Sequence, residues 1–165
     1  MKHKYYNPDR LTRKSLRLPT RDYASAGVYY VTICTEQYEP VFDAPELRTI
    51  LEDMWFSLPE RFPQVTLDEF VIMPDHVHFI LWLEGTTQRT DTTKKAPSLG
   101  SVVGAYKSLT TVAWIHHIKA TGMEVSGRLW QENYYERIIR NDELEATRQY
   151  ILNNPTKPKQ PPRLP

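Results

Sequence analysis

Apolar positions along the chain change period several times, and each change predicts an element. Residues 27–35, Gly-Val-Tyr-Tyr-Val-Thr-Ile-Cys-Thr, are rich in β-branched and aromatic side chains and predict a first strand. Leu47, Ile50, Leu51, Met54, Trp55 and Leu58 then recur at helical spacing behind a capping pair, Asp43 and Glu46, and Pro59 is expected to end that helix. Residues 65–73 read as a second strand, Pro74-Asp75 as a tight turn, and 76–83 as a third strand. On that third strand His76, His78, Ile80 and Trp82 share one face while Val77, Phe79, Leu81 and Leu83 share the other. With both faces largely apolar, it should be central in its sheet and covered on both sides.

Residues 84–97 are polar and aperiodic, as a connector is. Ser98 should cap a long helix whose stripe is Leu99, Val102, Val103, Tyr106, Leu109 and Ala113; Lys107, His116, His117 and Lys119 fall on its outer side, and Gly122 is a stop. Residues 134–140 predict a fourth strand. Asn141 should cap a last helix carrying Leu144, Thr147, Tyr150, Ile151 and Asn154, ended by Pro155. Strand, helix, strand, strand, helix, strand, helix is the order of an α+β fold of the ferredoxin-like kind, an antiparallel central sheet with helices packed on it. Three segments are expected: a basic arm at 1–21, one domain at 22–155 and a proline-rich basic tail at 156–165.

Composition is that of an ordinary globular chain, with 40% hydrophobic and 25% charged residues. No apolar run approaches the roughly 20 residues of a membrane span and the start has no signal-peptide core, so a cytoplasmic protein without membrane contact is expected. Cys34 is the only cysteine, which excludes an intrachain disulfide and any CxxC zinc site, and it reads as a small core residue. The net charge of +1 conceals an asymmetry. Lys2, Lys4, Arg10, Arg13, Lys14, Arg17 and Arg21 face a single acid, Asp9, across residues 1–21, so the arm carries +6 and the remainder −5. Such an arm suits a polyanion, because each neutralised phosphate releases counterions.

Two histidines one residue apart on a strand point the same way and can grip one metal ion. Tyr150 and Asn154, four apart, share a helix face. Were that face to lie against His76 and His78, Asn154 would offer a third ligand oxygen and Tyr150 a phenolic oxygen beside the ion. A hard cation such as Mg²⁺ or Mn²⁺ held this way polarises a phosphodiester that the phenolate attacks. Spacing alone also allows the histidines to be packed residues and Tyr150 an ordinary core residue. Asn154, preceding a proline, is biased away from the helical region. The pair His116-His117 diverges by about 100° on a helix and reads as surface.

Taken together, Pro74-Asp75-His76-Val77-His78-Phe79, Leu129-Trp130-Gln131, Tyr134 to Asn141 and Tyr150-Ile151-Leu152-Asn153-Asn154-Pro155 resemble, in that order, the REP-associated tyrosine transposases. These belong to the HUH single-tyrosine superfamily, named for two histidines around a hydrophobic residue. The resemblance runs from about Arg13 to Pro155. It implies a ferredoxin-like HUH fold that nicks and rejoins single-stranded or hairpin DNA of repetitive extragenic palindromes. It further implies Tyr150 as nucleophile, a 5′-phosphotyrosine intermediate, and a divalent metal held by His76, His78 and Asn154. Lys2, Lys4, Arg10, Arg13, Lys14, Arg17 and Arg21 then become backbone contacts to DNA, and the expected cytoplasmic protein becomes a nucleoid-associated one. A monomer is expected, with a homodimer sharing its tyrosine helices as the alternative. Two rival readings keep the same residues: a non-catalytic hairpin-binding protein, and a zinc hydrolase that does not need Tyr150. Tyr134 and Tyr135 are rival nucleophiles better explained by packing.

Overall fold

The computed structural model describes residues 26–85, 96–125 and 127–156. Four strands, β1 (Gly27–Cys34), β2 (Val65–Ile72), β3 (His76–Leu83) and β4 (Tyr135–Ile139), form one sheet in the order β2-β3-β1-β4. Every neighbouring pair is antiparallel. Between the strands run α1 (Pro45–Phe56), α2 (Leu58–Arg61), α3 (Leu99–Thr121) and, after β4, α4 (Leu144–Leu152). This is the expected ferredoxin-like α+β architecture, with β3 interior as its two apolar faces required.

The alternation along β3 divides the core in two. Val77, Phe79, Leu81 and Leu83 join Tyr29, Val31 and Ile33 of β1 beneath Trp55 of α1 and Tyr106 of α3, the larger core. Ile80 and Trp82 belong to a smaller core on the other face, with Val28, Tyr30, Ile139 and, from α4, Leu144 and Ile151. His76 and His78 have the parity of Ile80 and Trp82. They therefore lie on the side of the sheet that α4 covers.

Local chemistry departs from expectation at several ends. Asp43 does not cap α1: it closes a 3₁₀ turn, Val41–Asp43, and Ala44 is the N-cap without a side-chain bond. Pro45 takes the first helical position, where a missing N–H costs nothing, and thereby shifts the start. Pro59 lies within the short α2 rather than ending α1, for the same reason. Asn141 does not cap the last helix either. A 3₁₀ turn, Asn141–Glu143, intervenes, and the Glu143 carboxylate reaches back to accept the Arg140 N–H at 3.2 Å. Ser98 does cap α3, accepting the Ser101 N–H at 3.1 Å, and Gly122 ends it at φ 69°.

The buried stripe of α3 continues through Thr110 and Trp114 rather than Leu109 and Ala113. Thr110 is tolerated because its hydroxyl donates to the Tyr106 carbonyl and accepts from the Trp130 indole at 2.9 Å. Lys107 is not on the outer side. Its ammonium donates to the carbonyls of Gln131 and Glu132 at 2.6 and 2.9 Å, tying α3 to the segment before β4, and burial lowers its pKa. Among the described residues no helix is long and apolar enough to cross a membrane.

Candidate active site

The β2–β3 turn sets the position of the first histidine. Met73 donates its N–H to the His76 carbonyl at 2.8 Å, closing the hairpin that Pro74-Asp75 predicts. The turn is then held from outside: Thr35 donates its N–H and its hydroxyl to the Asp75 carbonyl at 2.9 and 3.0 Å, and Phe42 donates to the Pro74 carbonyl at 3.0 Å. Thr35 itself bridges to Trp130. The Leu129-Trp130-Gln131 stretch thus fastens the end of β1 beside the histidine turn.

His76 and His78 face each other, with their Nε2 atoms 3.0 Å apart. Each ring is oriented from behind through its other nitrogen. The His76 Nδ1–H donates to the Asp75 carboxylate at 2.5 Å. The Nδ1 of His78 lies 2.8 Å from the Thr32 hydroxyl and 2.9 Å from the Tyr30 hydroxyl. The two Nε2 atoms converge on one point, and at 3.0 Å they are placed either for a hydrogen bond between the rings or for a shared cation. His78 is only 2% exposed, and burial, with His76 beside it, pushes its pKa down to about 3. It is a neutral imidazole at any physiological pH, the form in which histidine binds metal.

The separation also tests what the pair can hold. Two nitrogens about 2.1 Å from one ion are roughly 3.0 Å apart at the right angle of an octahedron and roughly 3.4 Å apart in a tetrahedron. The 3.0 Å separation is compatible with two ligands of an octahedral divalent cation. Among the described residues no group of three or more His, Cys, Asp or Glu side chains could hold a metal.

Tyr150, near the end of α4, stands over this pair. Its ring meets that of His78 edge-on with centroids 6.3 Å apart, and it is 40% exposed, reachable from solvent. Thr147 and Ile151 are the buried seam of α4, which places Tyr150 at the seam's margin. Asn154 lies beyond the α-helix, opening a 3₁₀ turn Asn154–Thr156, since Pro155 disfavours α geometry before it. Its amide Nδ2 is buried without a hydrogen-bond partner. Turning that amide over exchanges N for O, so an unpaired oxygen is equally compatible with the placement.

The rival candidates have other roles. Tyr135 packs edge-on against Tyr30 at 6.2 Å, and burial raises its pKa. Tyr134 packs against the larger core. Burial and the charge of Asp75 push the Cys34 thiol up to about 12, so it is no nucleophile. His117 lies flat on Trp114 and His116 is exposed, a surface pair. The seven basic residues of 1–21, and all of the tail except Thr156, lie outside the described residues.

Sequence reasoning missed four supports. Asp75 reads in the sequence as a turn residue, although a carboxylate next to a histidine at a hairpin end is a readable signal for ring orientation. Thr32 and Tyr30 are legible only once register is known: Thr32 pairs with His78 across β1 and β3. Asp68 also went unremarked. It is joined to Arg148 across 80 residues, and nothing local announces the pair.

Comparison with known proteins places the chain in a family and a fold. The family described as "Transposase IS200 like" matches residues 24–154. An uncharacterised protein of Haemophilus influenzae is 33% identical over 171 residues, covering 91% of this chain and 92% of the other. In fold the chain is similar to a REP-associated tyrosine transposase bound to a REP hairpin, with TM-score 0.57 and 20% identity, covering 82% of this chain and 70% of that one. It is also similar to a candidate transposase of Deinococcus radiodurans, with TM-score 0.50 and 22% identity, covering 81% and 94%.

Proposed function

The chain belongs to the IS200-like transposases, and from that membership we propose that it nicks and rejoins single-stranded DNA at hairpins of repetitive palindromes, with Tyr150 as nucleophile. The observation that carries this reading is the placement of an exposed tyrosine ring 6.3 Å from the buried member of a convergent histidine pair. The hairpin substrate follows the fold relative that is bound to a REP hairpin.

His76 and His78 would hold a divalent cation, Mg²⁺ or Mn²⁺, with the Asn154 amide as the candidate third ligand. When bound, that cation would supply polarisation of a phosphodiester oxygen. Asp75 and Thr32 hold the imidazoles through Nδ1, which leaves Nε2 of each ring as the atom available to a metal. The Tyr150 phenol loses its proton to solvent as its oxygen attacks phosphorus in line, forming a tyrosine–phosphate bond to the 5′ side while the bond to the 3′ oxygen breaks. That oxygen leaves as a 3′-hydroxyl after taking up a proton. Attack by the same or another 3′-hydroxyl on the phosphotyrosine reverses the step, so bond energy is conserved and no nucleotide cofactor is needed. The basic residues of 1–21 act on the DNA backbone and a single chain carries out the reaction.

The test is incubation of labelled single-stranded hairpin DNA and Mn²⁺ with wild type and Tyr150→Phe. Wild type should give a denaturation-resistant protein–DNA adduct and Tyr150→Phe none, with hairpin binding retained in both. An adduct surviving in the variant, or none from wild type across hairpins of varied foot sequence, overturns the proposal. The latter outcome favours a hairpin-binding protein without catalysis.

A further inference from the structure

We propose that Asp68, Arg148 and Trp82 form a clamp that sets where Tyr150 stands, acting from the far edge of the sheet; this rests on Tyr150 being the nucleophile. Asp68 lies on β2, the edge strand next to β3. The β2–β3 register slips between Leu67, opposite Leu81, and Phe70, opposite Phe79, so Asp68 and Glu69 together face the single residue Ile80. Such a bulge bends the strand and re-aims a side chain. The Asp68 carboxylate caps its own bulge by accepting the Glu69 N–H at 2.9 Å. It also accepts the Trp82 indole N–H at 2.8 Å. Arg148 completes the set with a two-pronged contact, Nε to Oδ1 at 2.8 Å and Nη2 to Oδ2 at 2.6 Å. Four donors use the carboxylate's full accepting capacity, in a side chain only 8% exposed.

The helix has need of such a fixture. α4 is nine residues long, too short to be stable by itself, and its buried seam is Thr147 and Ile151. A two-residue seam sets the distance of a helix from a sheet but leaves rotation about its axis soft. Arg148 and Tyr150 are two residues apart and project from opposite flanks of that seam. The planar guanidinium fork is directional, so it fixes rotation and axial position on one flank. Rotation by about 10° would swing a phenolic oxygen, roughly 9 Å from the axis, by about 1.5 Å. A misplacement of about 1 Å can cost roughly a hundredfold in rate. The clamp touches no reacting atom; Asp68, Trp82 and Arg148 are positioning residues.

The experiment compares wild type, Arg148→Ala and Arg148→Lys at a temperature where all remain folded. Hairpin affinity, the single-turnover rate of adduct formation and amide hydrogen exchange along 144–152 are measured on each. Arg148→Ala should keep hairpin affinity within about twofold, lose at least about tenfold in adduct rate, and exchange faster in α4 than wild type while β1 and β3 are unchanged. Arg148→Lys, which keeps the charge but not the fork, should fall between the two. Unchanged adduct rate, or unchanged exchange in α4, overturns the clamp. Tyr150→Phe separates the two ideas: it should abolish the adduct yet leave α4 exchange as in wild type. Should wild type form no adduct, the nucleophile reading fails, and the clamp stands or falls on the exchange result.

Discussion

At the scale of single residues, the histidine pair works through what stands behind it. Asp75 accepts from Nδ1 of His76, Thr32 and Tyr30 hold Nδ1 of His78, and the low pKa of His78 keeps it neutral. Replacing Asp75 by Ala leaves both Nε2 atoms in place but frees the His76 ring to turn and change tautomer. Mn²⁺ affinity, measured by electron paramagnetic resonance of the free ion, should fall by about 10–100-fold, as expected for the loss of a group that orients a ligand. Unaltered affinity would mean that the carboxylate serves only the turn. His76-Val77-His78 was legible in the sequence because a period of two is a local property. Asp75 was visible and undervalued; Thr32 and Tyr30 depend on strand register, which spacing along the chain does not encode.

At the scale of elements, α4 is the one helix among the described residues on its face of the sheet, held by a small buried seam and one charged fork. That fork makes its docking sensitive to acid. The hydrogen bonds from Arg148 are the largest cause holding the Asp68 carboxyl below the usual carboxylate range; burial opposes them, and Trp82 adds to them. A depressed folded-state pKa means that the contribution is complete above the ordinary value near pH ~4 and is lost as pH falls through the lowered one. The stability gap between wild type and Asp68→Asn, taken from urea unfolding, should be constant from pH 7 to 5 and shrink toward pH 3. A gap that does not vary with pH would remove the ionised carboxylate from the account. Element existence and order were readable from periodicity, whereas their ends were not. Pro45 and Pro59 entered first turns where they are harmless, and the Glu143 carboxylate closes the 3₁₀ turn ahead of the last helix, which has no side-chain cap bond from Asn141 or Glu143. Such choices are made among neighbouring polar residues of similar merit, by tertiary fit.

At the scale of the molecule, a candidate site is built from distant parts of the described chain: a hairpin turn near the middle supplies the histidines, and the last helix supplies the tyrosine. Parity along β3 decides the matter, because the odd positions bury the large core under α1 and α3 and the even ones face α4. That much followed from the sequence, since Ile80 and Trp82 share a face with the histidines. That α4 would cover this face did not follow: Leu144 and Ile151 meet Tyr30, Ile80 and Ile139, and Arg148 meets Asp68 across 80 residues, pairings without local trace. The central claim is that Tyr150 becomes the covalent link to DNA. Its most direct measurement is mass spectrometry of trypsin-digested wild-type protein after reaction with a hairpin substrate, locating the nucleotide on the chain. The account predicts a 5′-phosphonucleotide on the peptide that begins at Gln149 and contains Tyr150. A nucleotide on the peptide carrying Tyr134 and Tyr135 would contradict it.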